Sequence, residues 1–183
     1  MLLLNKNRRI AMKVIYLTGF MGAGKTTVGM LLGEKLDLPV YDTDQQVERA
    51  ENASVKDIFS SRGEAYFRRL EERVLRELPT ENAVVMTGGG IIENPDNRNF
   101  MRNNGTVVFL NTNIDIILYR LENDTSRPLV QGRKREEIKK LYTKRKPLYE
   151  DCSLSINASN KNPEEIVKEL EAVLNASQLG KTE

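Results

Sequence analysis

Apolar residues in this chain fall into short runs, separated by longer stretches in which they recur every three or four positions. Val14-Ile15-Tyr16-Leu17, Leu38-Pro39-Val40-Tyr41, Ala83 to Thr87, Gly105 to Leu110 and Ser153 to Asn157 read as buried strands. Between them, Val28 to Leu36 carries apolar residues at 28, 31, 32 and 36, and Glu64 to Leu78 aligns Phe67, Leu70, Val74, Leu75 and Leu78, so both are amphipathic helices. Ser54 to Phe59 reads as a capped helical turn. Asn94-Pro95 opens a short helix, and Asn113 caps another through Ile114, Ile117, Leu118 and Leu121. Glu136 to Leu148 is a helix with Ile138, Leu141, Tyr142 and Leu148 apolar. Asn162-Pro163-Glu164-Glu165 starts the last one with a cap, a proline and two acids suited to the helix dipole.

This alternation predicts an α/β protein, a three-layer α/β/α sandwich around a five-stranded parallel sheet with right-handed crossovers. A length of 183 residues suits one domain, placed at 13–175 between an extension at 1–12, loose or preceding a start at Met12, and a frayed tail at 176–183. Residues 122–135 are polar, carry Pro128 and Gly132 and have no periodicity. A loop that long inside a compact domain is expected to be a mobile lid.

The segment between the first strand and first helix carries the chemistry. Gly19-Phe20-Met21-Gly22-Ala23-Gly24-Lys25-Thr26-Thr27 fits the spacing GxxxxGK[ST] of a phosphate-binding loop (P-loop). Glycines at these offsets let backbone N–H groups turn inward on a polyphosphate, and the following helix N-terminus adds its partial positive charge. Lys25 is expected to reach the β- and γ-phosphates and the Thr26 hydroxyl to ligate Mg²⁺.

Composition narrows the partner. Lys+Arg 28 against Asp+Glu 26 leaves a net charge of +2 with no basic block, which points to small molecules, with no nucleic acid. No apolar run approaches a membrane span, and the N-terminal charges follow the leucines instead of preceding them, so neither membrane insertion nor a signal peptide is expected. The lone Cys152 reads as a small hydrophobe beside a strand, compatible with a cytoplasmic protein. Histidine is absent, so acid–base work falls to carboxylates, Lys or Arg.

Asp42-Thr43-Asp44 ends the second strand, at the edge where open parallel sheets bind ligands; the bland use of Asp44 is to cap the helix beginning at Gln45. Gly88-Gly89-Gly90 ends the third strand and implies close backbone approach or a sharp turn. Arg68 flanks the apolar stripe of its helix, and Arg69, Arg73 and Arg76 read as a solvated face of i, i+3 and i, i+4 charge pairs. A phosphate acceptor would call for cations around it, whereas an alcohol acceptor benefits from a carboxylate such as Asp44. Available arginines add an anionic group to the acceptor. The residues thus reach a kinase for a small hydroxylated acid.

Gly22-Ala23-Gly24-Lys25, Asp42-Thr43-Asp44, Phe67-Arg68-Arg69-Leu70-Glu71, Gly88-Gly89-Gly90, Thr125-Ser126-Arg127-Pro128-Leu129 and Arg145-Lys146-Pro147-Leu148-Tyr149 occur in the order and approximate spacing of shikimate kinases. Over residues 13–175 the chain resembles that family, which implies a P-loop fold like that of nucleoside monophosphate kinases. The resemblance implies phosphoryl transfer from ATP to the 3-hydroxyl of shikimate. It implies that Asp44 orients or deprotonates that hydroxyl and that Asp42 holds the Mg²⁺ shell through water. Arg68, oriented by Glu71, and Arg145 would grip the carboxylate, and the backbone of Gly88, Gly89 and Gly90 would complete the pocket. Gly22, Ala23, Gly24, Lys25, Thr26 and Thr27 would bind ATP, with Arg127 closing from the lid and Arg120 near the adenine. Lys161, in the Asn160–Asn162 loop, stands where some relatives have arginine. A monomer is expected. The alternatives are another hydroxy-acid kinase, such as one for gluconate, a nucleoside monophosphate kinase, which Asp44 disfavours, and a nucleotide-dependent regulatory protein.

Overall fold

The computed structural model describes residues 12–122 and 135–179. Its strands are β1 (Val14–Thr18), β2 (Val40–Asp42), β3 (Val84–Met86), β4 (Gly105–Asn111) and β5 (Leu154–Asn157). They form one sheet in the order β2-β3-β1-β4-β5 with every pairing parallel. The helices are α1 (Lys25–Leu36), α2 (Thr43–Glu51), α3 (Val55–Glu77), α4 (Pro95–Asn104), α5 (Ile114–Leu121), α6 (Arg135–Glu150) and α7 (Pro163–Leu179).

The chain leaves the central β1 in both directions along the sheet, so helices cover both faces. Alternation within β1 sorts its side chains: Ile15 and Leu17 pack with α1 and α7 through Val28, Leu32, Ile166 and Leu170, while Val14 and Tyr16 face Leu75, Met101, Ile117 and Tyr149. A smaller cluster of Val47, Ile58, Phe67, Leu70 and Val74 joins α2 to α3. Every βα junction therefore opens on the carboxyl edge of the sheet, where the P-loop, Asp42 and Gly88 all lie.

Several local expectations change. The turn at Ser54 and the helix from Glu64 form one bent element, α3, broken at Gly63 (φ 77°, ψ 170°). The cap of α2 is Asp42 and not Asp44: its carboxylate accepts from the N–H groups of Asp44 (2.9 Å) and Gln45 (3.3 Å). Arg76 makes the expected i, i+4 pair, with Glu72 (3.2 Å), and its guanidinium adds a bond to Asn97 Oδ1 (2.9 Å) and lies over the Phe100 ring. Helix α7 runs to Leu179, past residue 175, where the expected tail began. Cys152 is partly buried against the core, as expected, and burial pushes its thiol pKa up. Among the described residues no helix is long and apolar enough to cross a membrane. The expected lid lies outside the described residues except at its ends, where Arg135 pairs with Glu122. Residues 1–11 and 180–183 also lie outside them.

Candidate active site

A cavity of about 530 Å³ opens along the carboxyl edge, a size suited to small-molecule ligands. One end is the P-loop. Gly22 (φ 79°) and Gly24 (φ 95°) take left-handed conformations that a side chain would strain. Gly24 occupies the N-cap of α1 without offering a side chain, so no capping side chain covers the helix start that faces the loop, the arrangement in which helix N-termini meet anions. Lys25 Nζ donates to the carbonyls of Gly19 (2.7 Å) and Phe20 (3.1 Å), holding its charge on the loop. Thr26 and Thr27 are exposed on the first turn of α1 and line the same cavity. Arg120 on α5 reaches the loop through the Gly22 carbonyl (3.0 Å). Lys161 lines the cavity while paired with Glu169.

At the other end, Asp44, Arg68, Glu71, Gly88, Gly90 and Arg145 form one charged wall. Glu71 has no exposed surface and accepts from Arg68 Nη1 at 2.7 Å, while Glu64 takes Arg68 Nη2 at 3.0 Å. The i, i+3 and i, i+4 spacing of α3 makes that grip possible. Burial, with the nearby Asp44 charge, outweighs Arg68 and pushes the Glu71 carboxyl up to about 7. For Arg68 burial works against the charge, the Glu71 and Glu64 carboxylates outweigh it, and its pKa moves up.

The glycines of the third strand end admit these groups. A Cβ on Gly88 would stand 2.3 Å from Glu71 Oε1 and 2.5 Å from Asp44 Oδ1, and one on Gly90 would stand 2.2 Å from Arg68 Nη2. Not all their amides point to a ligand. Gly88 N–H donates to the buried Thr43 hydroxyl (2.8 Å), which removes it from the pocket contacts expected of it; the N–H groups of Gly89 and Gly90 have no acceptor among the described residues.

Arg145 comes from α6 and is 2% exposed. Its Nη2 donates to Glu93 at 2.7 Å, while Nε and Nη1 are buried without a partner among the described residues. Sequence reasoning missed Glu93, and it missed Tyr149, whose hydroxyl donates to the Gly89 carbonyl from a ring stacked on Phe109. Tyr149 sits one turn beyond Arg145, and that i, i+4 spacing was the available signal; nothing local marks Glu93. The lid residue Arg127 lies outside the described residues.

A family model for shikimate kinase matches residues 21–175. The chain belongs to the shikimate kinase family. It is 43% identical over 164 residues to the shikimate kinase of Bacillus cereus (strain G9842), covering 90% of this chain and 99% of the relative. The structure of shikimate kinase from Acinetobacter baumannii in complex with shikimate superposes with a TM-score of 0.87 at 37% identity, covering 92% of this chain and 96% of that one. Deoxyadenosine kinase from M. mycoides, with bound dATP, shares the fold alone, with a TM-score of 0.62 at 14% identity over 89% of this chain and 99% of that one.

In this shikimate kinase family member Glu71 makes stability depend on pH. A carboxyl whose pKa rises on folding, here from 4.5 to about 7, holds its proton more tightly in the folded chain, so stability falls as pH rises through that window and levels off above it. Glu71→Gln, neutral throughout, is expected to gain on the wild type between about pH 5 and 7 and to keep a constant difference above. Urea unfolding of both proteins at pH 5, 6, 7 and 8 measures this. A difference that shrinks with pH would mean that the Arg68 pairing outweighs burial.

Proposed function

We propose that the chain transfers the γ-phosphate of ATP to the 3-hydroxyl of shikimate, giving shikimate 3-phosphate and ADP. The observation that carries this reading is the division of the cavity, with a P-loop at one end and Asp44 set among Arg68, Glu71 and Arg145 at the other. Arg68 and the spare nitrogens of Arg145 suit a carboxylate, and the N–H groups of Gly89 and Gly90 suit ring hydroxyl or carboxylate oxygens. Asp44 orients the attacking hydroxyl and takes its proton as that oxygen bonds to the γ-phosphorus and the bond to the β–γ bridging oxygen breaks. Lys25 and the amides at the start of α1 balance charge on the phosphates during transfer. Arg120 and Lys161 serve the nucleotide from the cavity rim.

The described residues contain no cluster of three His, Cys, Asp or Glu side chains that could hold a metal. A hard ion shared with ATP and keeping its own waters needs fewer protein ligands, and the site fits it. The Thr26 hydroxyl is exposed beside the loop, and Asp42 spends Oδ1 on its cap while Oδ2 has no hydrogen-bond partner among the described residues. Thr26 would hold Mg²⁺ directly and Asp42 through water. When bound, the ion neutralises phosphate charge. The protein is read as acting as a monomer.

Release of ADP from Mg²⁺–ATP, followed with shikimate, gluconate and nucleoside monophosphates in parallel, tests the reading. Turnover with shikimate is expected. Turnover with another acceptor alone would keep a kinase and overturn the pocket, and slow release indifferent to every acceptor would indicate a regulatory protein. Asp44→Asn is expected to lower kcat by at least about 100-fold while nucleotide binding is retained; turnover like wild type would remove Asp44 from the chemistry. Gly90→Ala, which forces the Arg68 guanidinium aside, is expected to raise KM for shikimate by about tenfold or more and leave that for ATP within about twofold, because a bidentate ion contact is worth over 1 kcal/mol. Equal loss for both substrates would mean that the turn had collapsed.

A further inference from the structure

We infer that Glu93 is a positioning residue that aims Arg145 at the substrate carboxylate, and so sets affinity for the acid without taking part in phosphoryl transfer. The inference rests on the shikimate kinase reading above and assigns the carboxylate subsite a member that does not itself line the cavity.

An arginine on α6 needs a reason to present its head to a pocket built largely by α2, α3 and the glycine turn. Packing supplies the burial: Arg145 lies between its helix neighbours Tyr142 and Tyr149, themselves in the core. Burial alone would leave the guanidinium costly and undirected. Glu93 Oε2 accepts from Nη2 at 2.7 Å and is the one hydrogen-bond partner Arg145 has among the described residues. Nε and Nη1 are left buried and without a partner. A planar, rigid head held by one nitrogen has its remaining donors fixed in direction. Lys144 reaches the same carboxylate at 3.4 Å from the exposed side. Burial disfavours the Glu93 charge, but the Arg145 and Lys144 cations outweigh it and hold its pKa below the usual carboxylate range.

Glu93 is itself rigidly placed. It ends a 3₁₀ turn, Ile91–Glu93, that follows directly on the glycine triplet. Within that turn Ile91 N–H donates to the Gly88 carbonyl (3.3 Å) and Glu93 N–H to the Gly90 carbonyl (3.0 Å). The remaining carbonyls are held from outside: Gly89 by Tyr149, Ile91 by Asn97 (3.3 Å) and Ile92 by Arg98 (2.6 Å). Ile91 and Ile92 are buried beneath. One braced segment thus carries both the free amides of Gly89 and Gly90 and the carboxylate that orients Arg145. The two parts of the acid-binding wall cannot drift apart.

Steady-state kinetics on the full chain tests this, with shikimate and its neutral carboxamide as acceptors. The wild type must first turn over shikimate; if it does not, the parent reading fails and the question of Glu93 does not arise. Given turnover, Glu93→Ala is expected to raise KM for shikimate about tenfold or more with kcat within about threefold, and Glu93→Gln, which keeps an acceptor, to recover most of that loss. The carboxamide, which lacks the anion, is expected to show a KM nearly indifferent to residue 93. Three results would overturn the inference: an unchanged KM in Glu93→Ala, a lowered KM, which would mean that Glu93 competes for Arg145, or an equal rise for both acceptors, which would make Glu93 a brace of the turn only. A thermal unfolding midpoint for each variant separates a folded enzyme with weak affinity from a damaged fold. If Glu93→Ala does not fold, Glu93→Met, which keeps the side-chain length without an acceptor, decides in its place, with a raised KM confined to shikimate supporting the inference and an unchanged KM or an equal rise for both acceptors overturning it.

Discussion

The close approach of charged side chains to a bare backbone governs this site. Glu71, Asp44 and the Arg68 head occupy space that any Cβ on Gly88 or Gly90 would take, at separations of 2.2–2.5 Å. Helices α2 and α3 can therefore lie against the end of β3 only because that strand finishes in glycine. The Thr43 hydroxyl fixes the junction by accepting the Gly88 N–H (2.8 Å), so the start of α2 is tied to the same backbone. Asp44 follows Thr43 and inherits its position from that bond. The acid proposed to meet the attacking hydroxyl is thus placed by a buried threonine and a glycine amide, before any substrate contact is made.

Asp42 and Asp44 then divide the work of one short segment. Asp42 closes β2 and caps α2 with one oxygen, which leaves Asp44 in the first helical turn facing the cavity. A carboxylate in that turn is also favoured by the helix dipole, which opposes the repulsion it feels from Glu71. At the far end, α1 begins without a capping side chain, so its dipole is aimed at phosphate. Donor and acceptor ends of the cavity are each served by a helix N-terminus, and both helices start at the carboxyl edge of a parallel strand.

How much of this the sequence reveals depends on how local each cause is. The five strands, the phosphate loop, the aspartate pair, the glycine triplet and the Arg68–Glu71 pair are written in periodicity or in short local spacings, and all lie where those spacings imply. The bland alternative for Asp44, capping α2, fails because β2 runs on to Asp42, and strand ends depend on the neighbouring strand: Asp42 pairs in register with Met86. Arg76 pairs with Glu72 as its spacing implies, whereas its contacts with Asn97 and Phe100, on another helix, carry no local signal. Glu93 was invisible for the same reason, since it meets Arg145 across 52 residues through a turn that has no periodic signal. Tyr149 was within the recognised run Arg145-Lys146-Pro147-Leu148-Tyr149, yet its target is a carbonyl 60 residues away.

The two arginine–carboxylate pairs of the wall are opposite in design, and that difference bears on selectivity. On α3 the buried member is the carboxylate: Glu71 is wholly enclosed, and the Arg68 side chain is 24% exposed. Here the pair fixes a cation that already has two carboxylates. On α6 the buried member is the cation: the Arg145 side chain is 3% exposed against 28% for Glu93, and two of its nitrogens lack acceptors among the described residues. A buried, partly satisfied guanidinium carries a desolvation cost that an entering anion offsets, whereas a neutral ligand of the same shape would leave it standing. In the proposed reading Arg68 would hold an acid in place, while Arg145 would reject a molecule without one. In that reading an acceptor that engages both would carry its carboxylate rigidly with respect to the hydroxyl offered to Asp44, because Asp44, Arg68 and Arg145 all sit on helices. A cyclic hydroxy acid meets that demand without loss of internal freedom; a linear sugar acid would have to freeze several bonds to do so.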